Sequence, residues 1–193
     1  MGLVDRVKAI LLTPQKEWPV IEGESATTAS LYTGYIMPLA AIPAVAGFVG
    51  MSVFGIRVLG MSIKVPFGTG LITAVVNYVM TLVGCFVLAL IIDALAPSFG
   101  GQRSQIQALK LAAYSMTASW LAGIFMLIPA LSILAIVGVY SLYLLYLGLP
   151  VLMKSPADKS LAYTVVVILA AIILYAVIGV VVSQVRGGYG TWV

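Results

Sequence analysis

Residues 111–153 read LAAYSMTASWLAGIFMLIPALSILAIVGVYSLYLLYLGLPVLM and contain no Asp, Glu, Lys, Arg or His. Lys110 and Lys154 close the run on either side. A helix crosses the bilayer core in roughly 20 apolar residues, so the run is about two spans long. Pro129, near its middle, has no N–H to donate and its ring clashes with the preceding turn, so a helix breaks there. The stretch predicts a transmembrane helical hairpin with a tight turn, and lipid as its solvent.

The rest of the 193 residues agrees. Hydrophobic residues make up 62% of the chain and charged residues only 8%, against roughly 25% charged in a soluble domain. Mean hydropathy is +1.15. The net charge is +4, but the basic residues are scattered among loops and form no stripe or recognition motif. Orientation in the membrane and attraction to anionic headgroups account for the excess, and nucleic acid is not an expected partner. Cys85 is the single cysteine and His is absent. No disulfide, metal site or other cofactor is therefore expected, and Cys85 reads as a small buried hydrophobe.

Residues 1–30 are the one extended polar region. The apolar stretch Ala9–Leu12 is too short for a secretory signal, so no cleavage is expected. Leu3, Val7, Ile10 and Leu11 share one helical face. Such a segment lies in the headgroup layer or packs on the cytosolic ends of the spans, and the sequence leaves both open. Thr13-Pro14 marks a second helix start. Trp18 suits an interface, with its N–H towards water, and Glu17, Glu22 and Glu24 read as a solvated acidic face.

Residues 31–186 form the membrane domain, with 187–193 a short flexible tail. The first span is expected from about Leu31 to Phe54, kinked by Pro38 and Pro43. A short loop over residues 55–68 follows, then a second span from about Thr69 to Leu95. Gly100-Gly101 make a tight turn, and Ser104 caps a third span ending near Ile128. The fourth runs from about Ala130 to Leu152. The fifth runs from about Leu161 to Val185, where Arg186 stops it. With the N-terminus inside, seven basic residues (Arg6, Lys8, Lys16, Arg103, Lys110, Lys154 and Lys159) lie on the cytoplasmic side. Three (Arg57, Lys64 and Arg186) lie outside. The fold class is thus an all-α polytopic bundle of five spans, N-in and C-out; if the hairpin at Pro129 does not cross, the count falls to four and both termini share a side.

Few residues invite a functional reading. Asp93 is the acid bordering a span, and an ionisable group there needs a named partner. Arg103 and Lys110 are the candidates for a structural ion pair; the alternative is a carboxylate that handles protons or cations. Asn77, one turn from Thr81, reads as a packing hydrogen bond between helices or a substrate contact. Pro38, Pro43, Tyr140 and Tyr143 are candidates to kink helices or line a path.

The stretch DALAPSFGGQRSQIQALKLAAYSMTASWLAGIF (93–125) resembles the bacterial branch of the Yip1 family, small five-span membrane proteins. Asp93 through Gly101, Ala108-Leu109-Lys110, Ala113-Tyr114-Ser115, Trp120, Tyr140 to Pro150 and Met153-Lys154 carry the resemblance. So does the opening LLTPQKEWPVIEGE. The eukaryotic relatives are associated with prenylated Rab-type GTPases and vesicle transport, and typically carry a longer cytosolic N-terminal region than residues 1–30 provide. For a bacterial member the resemblance implies a fold and an inner-membrane location rather than an activity.

No HExxH, GxSxG, P-loop or paired-carboxylate set occurs, so no catalytic residues are expected and the protein is not read as an enzyme. The leading expectation is a non-enzymatic scaffold or adaptor in the cell inner membrane, with a role in membrane organisation or of a trafficking-like kind. Its expected partners are membrane lipids, other membrane proteins or itself as a homo-oligomer. The alternative is a small oligomeric channel or transporter for ions or small solutes.

Overall fold

The computed structural model describes residues 2–58 and 61–189. Among these, four helical segments are long and apolar enough to cross a bilayer: Thr28–Phe54, Phe67–Phe99, Pro129–Leu152 and Ala157–Gln184.

The first begins with a capping box: Thr27 and Ser30 each accept from the other's backbone N–H, which satisfies two of the donors a helix start leaves free. It comprises α3 (Thr28–Leu31), a π-turn over Tyr32–Ile36, α4 (Met37–Val49) and a second π-turn over Gly50–Phe54. Pro38 cannot donate to the carbonyl four residues back, and the π-turn precedes it directly; Pro43 lies inside α4. Gly55 then takes φ +71°, the left-handed conformation that suits glycine. The segment read as a plain loop is in part a β-hairpin, β1 (Ile56–Val58) against β2 (Met61–Ile63), with Ile56 opposite Ile63.

The second long segment is α5 (Phe67–Leu95), continued by a 3₁₀ turn to Phe99. It runs antiparallel to the first: Tyr32 donates to the Leu82 carbonyl at 2.9 Å and Tyr78 to that of Met37 at 3.2 Å. Tyr32 is therefore level with a point about 20 Å short of the end of α5, at 1.5 Å per residue. The first helix leaves a gap beneath it.

The third expected span is not one helix. α6 (Gln105–Ser115) and α7 (Thr117–Ala122) meet at Met116, and a 3₁₀ stretch over Gly123–Leu127 ends the segment. The Ser115 hydroxyl donates to the Ala112 carbonyl and that of Thr117 to the Tyr114 carbonyl. Such back-bonding bends a helix. A Cβ at Gly123 would lie 2.5 Å from that of Pro43, so the backbone there is pressed against the first helix. Ile128 is extended, as the residue before a proline should be. The chain then returns as a 3₁₀ stretch over Pro129–Val139 and α8 (Tyr140–Leu152). Ser119 holds the two arms together, donating to the Gly138 carbonyl at 3.0 Å and bonding the Ser141 hydroxyl at 2.9 Å.

The last helix, α9 (Ala157–Tyr189), continues through Arg186. The expected stop at Arg186 is overturned: one charged side chain does not end a helix whose backbone bonds continue. Tyr189 is helical, and Trp192 lies outside the described residues. α9 packs on α5, where Tyr163 donates to the Ile92 carbonyl.

The gap under the first helix is filled by α1 (Leu3–Leu12) and α2 (Pro14–Gly23). Of the two placements open from sequence, the structure takes packing on the bundle: Ile10, Trp18 and Ile21 are fully buried. Tyr140, the first residue of α8, donates to the Leu11 carbonyl, and Lys154, just beyond its end, pairs with Glu22. α2 thus lies along α8 in the same sense.

Candidate functional site

The junction between this N-terminal hairpin and the bundle holds the densest set of charges among the described residues. Arg6, on the inner face of α1, is 5% exposed. Its Nη1 donates to Glu17 of α2 and its Nη2 to Glu24, just past the end of α2. Its guanidinium carbon also sits 5.8 Å from the Tyr114 ring centre, within cation–π range. Burial alone would lower the pKa of Arg6. Glu24, by hydrogen bond and charge, and then Glu17 outweigh it, so the pKa stands above the ordinary arginine value.

Aromatic rings wall this pair in. Tyr114 lies edge-on to Trp18, with centres 6.5 Å apart, and tilted to Tyr35 at 4.4 Å. The Tyr35 hydroxyl is 2.7 Å from that of Thr117. Trp18 is not at an interface: its ring fits where Gly148 has no side chain, and a Cβ there would come within 2.6 Å of it.

Lys110 supplies the other cation. Its Nζ donates to the carbonyls of Ile21 at 2.8 Å and Glu24 at 2.5 Å, with Glu22 at 3.4 Å. These are carbonyls that the end of α2 leaves without intrahelical partners, at the negative end of its dipole. Gln107 adds a donor to the Glu22 carbonyl, and Lys154 reaches the Glu22 carboxylate at 2.9 Å. Each of the three glutamates meets a cation; Glu17 is buried, while Glu22 and Glu24 stay partly exposed, so the acidic face is solvated only in part. A polar cavity of about 480 Å³ opens beside Arg6, Glu24, Tyr35 and Tyr114.

The residues singled out from sequence fall in different places. Arg103 contacts Asp93, with Nε and Nη2 both 3.2 Å from Oδ2, while Lys110 is engaged with α2. The Asp93 Oδ1 is buried and has no partner among the described residues. Pro43 and Asn77 line one cavity. Pro38 sits in the first turn of α4, outside the described cavity lining. Tyr140 binds Leu11, and Tyr143 is 43% exposed on the outer surface. Among the described residues, no three of Asp, Glu and Cys converge as a metal ion would require. Sequence reasoning named Glu17 and Glu24 but missed their pairing with Arg6, which stands 11 and 18 positions before them and meets them only through the reversal at Thr13-Pro14. One signal was present: three of the six acidic residues of a charge-poor chain stand at positions 17–24.

Four long apolar helices, a broken fifth segment and a latched N-terminal hairpin define a polytopic helical membrane protein. The chain belongs to the Yip1 domain family, which it matches over residues 8–179. It is 29% identical to the inner membrane protein YohC of Escherichia coli K12, over 92% of this chain and 93% of the relative. YohC of Escherichia coli O6:H1 matches equally. No solved structure matches. With its apolar helices, this similarity identifies the chain as a multi-pass protein of the inner membrane.

Proposed function

We propose that this protein is a non-enzymatic membrane scaffold or adaptor that crosses the membrane five times, N-in and C-out. The fifth crossing is the broken segment. At one end Arg103 meets Asp93 near the end of α5, and the Gln102 N–H donates to the Met153 carbonyl. At the other, the carbonyls of Met126 and Leu127 abut Gly50, near the end of the first helix. The segment covers the length of the bundle: α6 and α7, with the break at Met116, are largely buried against their neighbours, while Ile124 and Met126 of the 3₁₀ end are exposed. A phosphatase fused after Val193 is expected to be active and a fluorescent protein there dark, with the reverse at the N-terminus. Fluorescence at both ends would remove the fifth crossing.

The observation that carries the scaffold role is the latch. Charged groups are costly to bury, and here they fix a surface: α1 and α2 are locked in place with Val4, Leu12 and Val20 exposed beside exposed Lys8 and Lys16. Apolar and basic groups side by side suit anionic headgroups and membrane proteins that share that surface. A photo-crosslinker at Lys16 or Val20 in native membranes should capture discrete lipid or protein partners. Capture of nothing, or of the chain itself alone, would sink the adaptor role. The channel or transporter reading draws on the cavity at Pro43 and Asn77, but Asp93, Tyr140 and Tyr143 are not among its lining residues.

A further inference from the structure

Between the first helix and α5, roofed by the turn after Leu127, lies a cavity of about 780 Å³. This volume is within the roughly 300–1,000 Å³ typical of small-molecule sites. Its walls are of two kinds. Pro43, Gly47 and Phe48 of the first helix supply an apolar side. From α5 come Thr69, Thr73, Asn77 and Thr81, spaced four apart and therefore on one face. At 1.5 Å per residue this face is about 18 Å long, so the cavity is a slot along the helix.

The polar groups in the slot are largely unspent. Thr81 donates to the Asn77 carbonyl. The Ser52 hydroxyl is buried without a partner among the described residues. The side chains of Thr69, Thr73 and Asn77 likewise bond no other described residue. Unpaired hydroxyl and amide groups in a lipid-facing region cost free energy that a bound hydrogen-bonding group would recover. None of the described lining residues is charged, so a ligand with net charge would enter without a counter-charge. Met126 and Ser132, both exposed, mark where the slot reaches the surface.

We propose that this slot binds a neutral single-chain amphiphile: the hydrocarbon chain lies along Pro43, Gly47 and Phe48, and a hydroxyl- or carbonyl-bearing end meets Thr73 and Asn77. The site does not depend on the scaffold role and would stand if that role fell.

The test uses the full chain in nanodiscs and a monoacylglycerol carrying a diazirine in its chain, beside a diazirine alkane without a head. Crosslinks to the monoacylglycerol are expected at Met51 and Met126. A Cβ at Gly47 would meet nothing within 4 Å, so Gly47→Phe should fill the slot and cut labelling by both probes about tenfold or more. Asn77→Leu should cut monoacylglycerol labelling about three- to tenfold, the worth of one hydrogen bond, and leave the alkane unchanged. Thr73→Val, of the same shape, should act in the same direction and guards against a misfolded Gly47→Phe. Labelling confined to the outward residues Val75 and Val79, or undiminished in Gly47→Phe, would overturn the site. Equal loss of both probes in Asn77→Leu and Thr73→Val would overturn the role assigned to the polar face.

Discussion

Replacing Arg6 with methionine is expected to loosen α1 from α2 within the N-terminal hairpin. The substitution roughly keeps the volume of the side chain and deletes the charge, leaving the carboxylate of Glu17, whose side chain is 9% exposed, without its partner. Breaking a buried ion pair from one side costs about 3 kcal/mol or more, because the remaining charge stays desolvated. The Glu24 partner, at 43% exposure, loses much less, since water screens it. Arg6 ties α1 to α2, while Lys110 and Lys154 still hold the end of α2 to the bundle, so the loss should appear as local opening of α1 and the start of α2. Tryptic cleavage at the exposed Lys16 should then quicken about a hundredfold, the factor that corresponds to about 3 kcal/mol when opening precedes cleavage. In Arg6→Met with Glu17→Met most of that gain should vanish, because two apolar side chains leave no stranded charge. Cleavage at the native rate in the single variant would show that the pair does not hold the hairpin.

Trp18→Ala is expected to be the most destabilising single truncation in the N-terminal segment. The ring is fully buried among Gly148, Leu111 and Tyr114, and emptying such a site costs about 3–5 kcal/mol. The converse change, Gly148→Ala, puts a methyl group 2.6–2.7 Å from atoms of Trp18 and Leu111, and overpacking of this kind costs about 1–3 kcal/mol. The two errors have opposite sign at one place. A methyl at position 148 enters space the missing ring vacates, so the double variant should lose less than the sum of the singles. Thermal unfolding in one detergent, with the four proteins compared at a fixed scan rate, reads the coupling. Strict additivity would mean that Trp18 and Gly148 do not share a contact.

These two experiments address the part of the molecule that was hardest to see in the chain. Glu17, Glu22 and Glu24 form no helical pattern with Arg6 or Lys154, and their partners lie far along the sequence. Trp18 is ambiguous by nature: an amphipathic ring suits an interface or a core, and the gap left by Gly148 on a distant helix chose the core. From sequence Lys110 reads as a partner for Asp93 rather than for α2, because carbonyls at the end of a helix carry no residue-type signature. Asp93 and Arg103 were legible, since they flank a short loop and meet across it.

What the sequence determined by itself was the solvent, because a bilayer demands long uncharged helices and any chain that meets the demand displays it; four of the five expected spans are such helices among the described residues. It also determined the break at Pro129, because a proline withholds its N–H and forces the residue before it into extended backbone, whereas α4 runs on through Pro43. Only the tertiary structure decided that the third segment breaks at Met116, that α9 runs past Arg186, and that residues 1–30 pack under the first helix around Arg6. Those outcomes depend on which distant surfaces come within a few ångströms: Gly123 against Pro43, Gly148 against Trp18, a guanidinium between two carboxylates. Steric fit and the pairing of buried charge arise between elements, so they take form only once the elements have met.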